Sequence, residues 1–400
     1  MPFPQPLRTS PLSRRGFAAS VGGLGLAALL PSGAATAQSR RRADVWESRA
    51  RASFAALQKY FRADDGSGLY RERYPVEAGD PTYSYEWPYS QAHVAALDLT
   101  GMRGADRRDR QVLADHLRAQ QHYWSDAGST GLPGFASAPM PPYANGGDFF
   151  YDDNEWVGLK DVQQWRMFRD RSALREAEQI FALVVSGWDT DPEHAAPGGV
   201  FWTQAPWSND RNTVSNMPGA ELGLRLHQIT GRRGHRDWAL RMYRWTNRYL
   251  QREDGLYHDH LDLEGNVEKT IWSYNQGVPV GVNVALHEVT GNRRYLAEAE
   301  RIARAARAYY ATDDRLDRQP AFFNSIYFKN LLRLGAATRQ SRYRDDMAAY
   351  ADRMWSTRRD PSTGLFGGAD GERAEMIQQA AMVQIYAVLA WAPRQHTKLY

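Results

Sequence analysis

The chain has 400 residues, of which 42% are apolar and 24% charged, a globular balance that fits one large domain or two to three smaller ones. It contains no cysteine, which excludes disulfides and a lipid-anchoring thiol. The formal net charge is +4 and falls to +1 once Arg8, Arg14 and Arg15 are set aside with the N-terminal segment, so charge gives no support to a nucleic-acid role.

Residues 1–37 read as an export signal. Ser13-Arg14-Arg15-Gly16-Phe17 is a twin-arginine pattern, an apolar stretch runs from Ala18 to Leu30, and Ala35-Thr36-Ala37 is a small-residue cleavage site. The apolar run is too short and too rich in Gly and Ala to span a membrane. The expectation is export in the folded state by the twin-arginine machinery, to the periplasm or the extracellular space, with no membrane anchor. Residues 38–43, with Arg40, Arg41 and Arg42, are expected to form a flexible basic tail. Residues 44–392 read as one domain and 393–400 as a C-terminal tail.

Within 44–392 helical periodicity dominates, as at 173–181, 238–245, 295–303 and 343–350, where apolar residues recur at i, i+3 and i+7. Thr230-Gly231 and Thr290-Gly291 mark helix ends. A second mark, Gly followed by an aliphatic residue and often an aromatic, recurs between helices. It reads Gly68-Leu69-Tyr70, Gly131-Leu132-Pro133, Gly199-Val200-Phe201, Gly255-Leu256-Tyr257 and Gly364-Leu365-Phe366, with a degenerate slot at Arg315-Leu316. Six marks about 60 residues apart each leave room for two helices and two connections. Six helical hairpins that bury their apolar faces only against neighbours suggest an all-α (α/α)6 toroid. Such a ring surrounds a hollow and presents a cleft at one end.

Four adjacent Asp pairs occur. Asp64-Asp65 looks like a turn, Asp313-Asp314 lies in a charged loop, and Asp345-Asp346 on a charged helix face. Asp152-Asp153 differs: it follows Phe149-Phe150-Tyr151, precedes Trp156, and stands before a helix expected over 155–168. Burial and mutual repulsion separate the ionisation of two such carboxyls. Glycosidic cleavage requires that combination, an acid for the leaving oxygen and an ionised partner at the anomeric carbon. The competing reading is that one Asp caps the helix. Glu86 is a rival carboxylate for the acid/base part.

The segment FFYDDNEWVGL resembles the Asp-Asp motif of glycoside hydrolase family 76, the endo-α-1,6-mannanases. Gly198-Gly199-Val200-Phe201-Trp202 with Asn212-Thr213-Val214-Ser215-Asn216, and Tyr274-Asn275-Gln276-Gly277, extend the resemblance in the family's order. The resemblance implies an (α/α)6 fold and a retaining hydrolysis in which Asp152 is the nucleophile and Asp153 the acid/base. Where the family commonly has two consecutive Trp after the Asp pair, this chain has Trp156-Val157, at a place expected to shape the sugar subsites.

Sugar platforms are expected at Trp87, Tyr151, Trp156, Trp202 and Trp207. Polar contacts to sugar hydroxyls are expected from Asn212, Ser215, Asn216, Tyr274, Asn275 and Gln276, with Gln91 and His93 facing the hollow. His258-Asp259-His260 lacks a third His or Cys nearby, so no required metal is expected, and no cofactor. The expected partner is a polysaccharide or oligosaccharide substrate. The alternatives are a transglycosidase, an unsaturated-glycuronyl-hydrolase-like enzyme on the same fold, or a non-catalytic glycan-binding protein.

Overall fold

The computed structural model describes residues 32–367 and 373–400. The chain divides into Met1–Arg41 and Arg42–Tyr400. The twin-arginine pattern and the apolar stretch after it lie outside the described residues. From Ser32 onward the chain is helical.

In chain order the elements are α1 (Ser32–Phe61), β1 (Arg73–Tyr74), α2 (Glu86–Leu99), α3 (Arg107–Gln120), β2 (Trp124–Ser125), β3 (Gly134–Phe135), α4 (Tyr151–Phe168), α5 (Arg171–Ser186), β4 (Asp210–Asn212), α6 (Thr213–Thr230) and α7 (Arg233–Tyr249). There follow β5 (His260–Asp262), β6 (Val267–Glu268), α8 (Ser273–Thr290), α9 (Arg293–Tyr310), α10 (Ala321–Thr338), α11 (Arg342–Thr357), β7 (Ala374–Glu375) and α12 (Met376–Ala390).

Even-numbered helices form an inner ring. Each packs on the next, α2 on α4, then α6, α8, α10 and α12, and α12 returns to α2. Odd-numbered helices lie outside. The two sets differ as their sequences require. In α8 every residue from Ser273 to Leu286 is buried, as befits a helix with neighbours all round. In α9 only the stripe Ala299, Ile302, Ala303, Ala306 and Tyr310 is buried. Gly231 and Gly291 end α6 and α8 at φ of 72° and 70°, as the Thr-Gly pairs predict.

The recurring loop marks acquire a physical meaning here. The fourth residue of every inner helix donates a hydrogen bond to a backbone carbonyl at or beside its mark. Tyr89 Oη reaches Gly68 O at 3.2 Å, Asn154 Nδ2 reaches Phe135 O at 3.0 Å and Asn216 Nδ2 reaches Val200 O at 3.3 Å. Gln276 Nε2 reaches Tyr257 O at 3.0 Å, Asn324 Nδ2 reaches Leu316 O at 2.9 Å and Gln379 Nε2 reaches Gly364 O at 3.4 Å. Asn154, Asn216 and Gln276 also accept from the N–H of the same residue, which makes a two-bond clasp. Even the degenerate slot at Leu316 is held. The Gly of the mark lets the backbone enter the clasp: Gly199 and Gly255 sit at φ of +84° and +98°.

Two boundaries differ from expectation. Residues 38–43 are helical within α1, because Gln, Arg and Ala favour a helix and no Gly or Pro interrupts them. The stretch 393–400 does not trail away. Pro393–Lys398 forms a 3-10 helix, and Leu399 and Tyr400 are buried. Arg225 Nη2 donates to Leu399 O at 2.6 Å, and Lys329 Nζ stands 4.4 Å from the Tyr400 ring centroid.

Asn216→Ala removes the partners of the buried Val200 N–H and C=O. We expect a loss of about 2–4 kcal/mol in denaturant unfolding, since each orphaned group costs about 1–3 kcal/mol. The KM of the surviving folded enzyme should stay near wild type. An unchanged midpoint with a raised KM would instead make Asn216 a sugar ligand.

Candidate active site

The second residue of each inner helix points into one cavity of about 750 Å³ at the mouth of the ring. In order these are Trp87, Asp152, Val214, Tyr274, Phe322 and Ile377. Five of the six positions are apolar or aromatic, and one is a carboxylate. Asp153 follows it into the cavity.

The helix that carries the pair begins at Tyr151, four residues before the expected start. Asp152 and Asp153 therefore lie inside the first turn, where free N–H groups and the helix dipole favour negative charge. Neither is the N-cap, which is Phe150. The loop ahead of β4 is bonded to the segment before α4: Tyr151 N donates to Trp202 O at 2.9 Å and Gln204 N to Phe149 O at 2.9 Å. This pairing sets the Trp202 indole over the pair, with Nε1 3.3 Å from Asp152 Oδ2.

The two carboxyls differ in what stabilises their charge. Burial pushes Asp152 up to about 7, against the pull of the Trp202 indole and of the N–H groups of its own turn. Burial likewise pushes Asp153 well above the usual carboxylate range, and the charges of Asp152 and Glu86 push it further. No hydrogen-bond donor holds the Asp153 anion among the described residues. The pair therefore keeps one proton near neutrality, and that proton belongs on Asp153.

Aromatic rings form the facing wall. Tyr274 and Phe323 stack at 3.9 Å with 4° between planes. Trp87 packs on Phe322 and Phe323 at 5.4 and 6.0 Å. The charged part of the described lining is almost all acidic. Glu72, Asp148, Asp210, Asp259 and Glu375 join Asp152 and Asp153, and the one basic side chain among the described lining residues is His260. Asp259, then Asp210 and Glu268, raise the proton affinity of His260.

Of the residues singled out in the sequence, Trp87, Asp152, Asp153, Trp202, Asn212 and Tyr274 meet in the cleft. Trp207 is 57% exposed and packs against Trp202 at 6.0 Å, on the outer side of that ring. Asn275 stands one layer back and orients a lining residue, since its Nδ2 donates to Asp259 Oδ1 at 2.8 Å. Ser215 is buried and donates to Asn212 Oδ1 at 3.3 Å.

The others lie elsewhere. Asn216 and Gln276 are consumed by the loop clasps. Gln91 is buried against Gln384, whose Nε2 donates to Gln91 O at 2.9 Å, and His93 is fully buried against Gln120. Tyr151 packs its ring against Gly187, away from the cleft. Trp156 is buried 6.5 Å from the Tyr400 ring, and Val157 is buried beside it in sequence. The Trp156-Val157 departure is thus a matter of core packing and does not shape the subsites.

Phe322, Phe323, Asp210, Asp259 and His260 line the cleft without having been singled out as sugar contacts. For Phe322 and Phe323 the position after the degenerate fifth mark, Arg315-Leu316, was a usable but weak signal. His258-Asp259-His260 enters the cleft by its last two residues, with His258 left out. Ligand atoms of Asp259, His260 and Glu268 lie within 4.8 Å of one another. Both carboxylates already have protein partners in Asn275, His260 and Thr270.

Comparison with known proteins agrees with this arrangement. The model for glycosyl hydrolase family 76 matches residues 45–360. Mannan endo-1,6-alpha-mannosidase DCW1 of Candida glabrata is 27% identical over 159 residues, 38% of this chain and 33% of its own length. A putative mannan endo-1,6-alpha-mannosidase of Schizosaccharomyces pombe is 26% identical over 53% of this chain and 48% of its own. The chain thus spans between a third and a half of these curated relatives. Among solved structures, the family 76 mannosidase Bt3792 from Bacteroides thetaiotaomicron superposes with a TM-score of 0.75 over 86% of this chain and 98% of its own, at 24% identity. An α-1,6-mannanase of Salegentibacter, inactivated by replacing two consecutive aspartates with asparagine and bound to α-1,6-mannotriose, superposes at 0.68 over 86% of this chain and 99% of its own, at 19% identity. With its family model matched over more than three quarters of its length and its ring intact, this chain belongs to glycosyl hydrolase family 76.

Proposed function

We propose that this chain is an exported, endo-acting retaining glycoside hydrolase that cuts α-1,6-mannosidic bonds, with Asp152 as nucleophile and Asp153 as acid/base. The observation that carries the reading is the carboxyl pair on one turn at the head of α4, with a donor for the Asp152 anion and none for Asp153 among the described residues. Asp152 attacks the anomeric carbon while Asp153 gives its proton to the departing glycosidic oxygen. The C–O bond breaks and a glycosyl ester forms on Asp152. Asp153, now anionic, takes a proton from water, which attacks the same carbon and releases the sugar with its configuration retained. Consecutive residues, with Cα atoms about 3.8 Å apart, suit the roughly 5–5.5 Å carboxyl separation of retaining enzymes.

The cleft supports a neutral sugar as substrate. Its aromatic wall offers rings to the apolar face of a pyranose, and its acidic rim disfavours uronates and phosphates. An unsaturated-glycuronyl substrate would bring a carboxylate to a lining with His260 as its one described basic group. The α-1,6 linkage is supported by the relatives named as mannan endo-1,6-alpha-mannosidases. Export is supported by the twin-arginine pattern at Arg14-Arg15. The described helices include none long and apolar enough to cross a membrane.

The test is product analysis on a panel of α-mannans and other α-linked polymers, joined to chemical rescue. Mannose oligomers should appear from α-1,6-mannan with retained configuration. Asp153→Ala should cost about 10²–10⁴ in rate on natural substrate. On an activated aryl α-mannoside, azide should convert Asp152→Ala into a source of β-azide and Asp153→Ala into a source of α-azide. Swapped anomers would reverse the two roles, and near-wild-type turnover by Asp152→Ala would end the two-carboxylate reading.

Trp202→Phe removes the indole donor and leaves Asp152 harder to ionise. The acid limb of kcat/KM depends on ionised Asp152, so it should move to higher pH. The bond is long, and we expect a shift of about 0.5–1 pH unit. A limb that stays in place would show that the indole does not tune the nucleophile.

A further inference from the structure

We propose that Glu86 is a positioning residue for the acid/base: from the first turn of α2, the inner helix packed against α4, its buried carboxyl sets how firmly Asp153, in the first turn of α4, keeps its proton. The inference rests on the assignment of Asp153 made above and adds a residue that acts through it.

The first positions of the six inner helices are Glu86, Tyr151, Thr213, Ser273, Ala321 and Met376. Glu86 is the charged residue among them, and it is fully buried. Burying a carboxyl is costly unless both oxygens find partners. Here Oε1 accepts from Gln120 Nε2 at 2.9 Å, while Oε2 has no partner among the described residues. The backbone fixes the residue at the cleft, since Glu86 N donates to Ser137 O at 2.9 Å and Ser137 lines the cavity beside Asp153. Packing alone would be better served by an apolar side chain, as at Ala321 and Met376 in the equivalent places.

The surroundings fix the sign of the effect. From α4, the charges of Asp152 and Lys160 act on Glu86, and that of Glu86 acts on Asp153; Lys160 Nζ lies 2.5 Å from Asp161 Oδ1. From α3 comes Gln120, and from α5 comes Glu176. α12 carries no charged residue. Burial leaves His93, on α2 itself, and His116 neutral. Burial pushes Glu86 up to about 8; Gln120 and Lys160 oppose it, and Asp152 and Glu176 add to it. As Glu86 takes on charge above neutrality it repels the Asp153 anion, so Asp153 stays loaded into the alkaline range.

Glu86→Gln keeps the shape and the Gln120 contact and removes the charge. On an α-1,6-manno-oligosaccharide, the alkaline limb of kcat/KM should move to lower pH by about 0.5–1 unit, a loss of about 3–10-fold well above the limb. Glu86→Asp, which keeps a carboxyl, should restore the limb at least in part. A dinitrophenyl α-mannobioside needs no proton for its leaving group, so on that substrate the difference between wild type and Glu86→Gln should vanish. An unmoved limb in folded Glu86→Gln overturns the proposal. So does a shift that persists on the dinitrophenyl substrate, because it would not pass through Asp153. If Asp153→Asn itself keeps the wild-type profile, the acid/base assignment fails instead, and the two failures are told apart.

Discussion

A loop laid against the end of a helix buries backbone carbonyls and amides, and each that finds no partner costs about 1–3 kcal/mol. In this ring the partner comes six times from the same place, the fourth residue of the inner helix. That one hydrogen bond orders much of what is useful in the molecule. At about 100° per residue, the second position stands roughly 200° round the helix from the fourth. When the fourth residue holds its loop, the second is turned toward the mouth of the ring. Trp87, Asp152, Val214, Tyr274, Phe322 and Ile377 arrive in one cavity by that rule. The Asp152 carboxylate is thus an exchange of residue type at one position of a repeated scaffold, and needs no special backbone.

The same geometry accounts for the electrostatics. A carboxylate at the second position lies in the first turn, where the helix dipole favours its charge, while the aromatic slots around it strip away water and oppose that charge. At Asp152 the Trp202 indole adds a donor, and the opposing effects leave it able to ionise near neutrality. Asp153, one residue on, is also pushed up by burial, without the donor and with a charge beside it. Two adjacent residues thereby acquire different proton affinities, because one of them reaches the indole and the other does not.

How much of this was legible in the sequence follows from what each signal measures. Periodicity and the Gly-aliphatic marks report burial and turn geometry, and both survive folding, so the six hairpins and the setting of Asp152-Asp153 could be read directly. Asn216 and Gln276 could not be separated from sugar ligands, because a buried amide that clasps a loop and one that binds a hydroxyl carry the same residue type in the same motif. The discriminating fact is that Asn154, Asn324 and Gln379 stand at the equivalent position in other hairpins, where the motif does not draw attention to them. Phe322 and Phe323 escaped because their mark is degenerate. Asp210 and His260 escaped because they reach the cleft through the pairing of β4 with β5, in which Asn212 lies opposite His260. Pairing between distant strands leaves no trace in local pattern.

The interior of the ring is polar at both levels, and the two levels use burial in opposite ways. Deeper along the axis Glu221 lies between Arg225 and Arg333, with Arg225 Nη2 at 2.6 Å, so its charge is met inside the ring. Such a buried cluster adds little net stability over apolar packing but strongly penalises any arrangement that separates its members. It therefore fixes how α6 and α10 face each other. At the mouth, Glu86, Asp152 and Asp153 have no arginine among their contacts in the described residues, and burial there is met by protons. The one cation that acts there, Lys160, opposes the protonation of Glu86 without overcoming burial. The ring keeps Arg225 and Arg333 below the cleft and its protons within it, on carboxyls whose charge depends on one another.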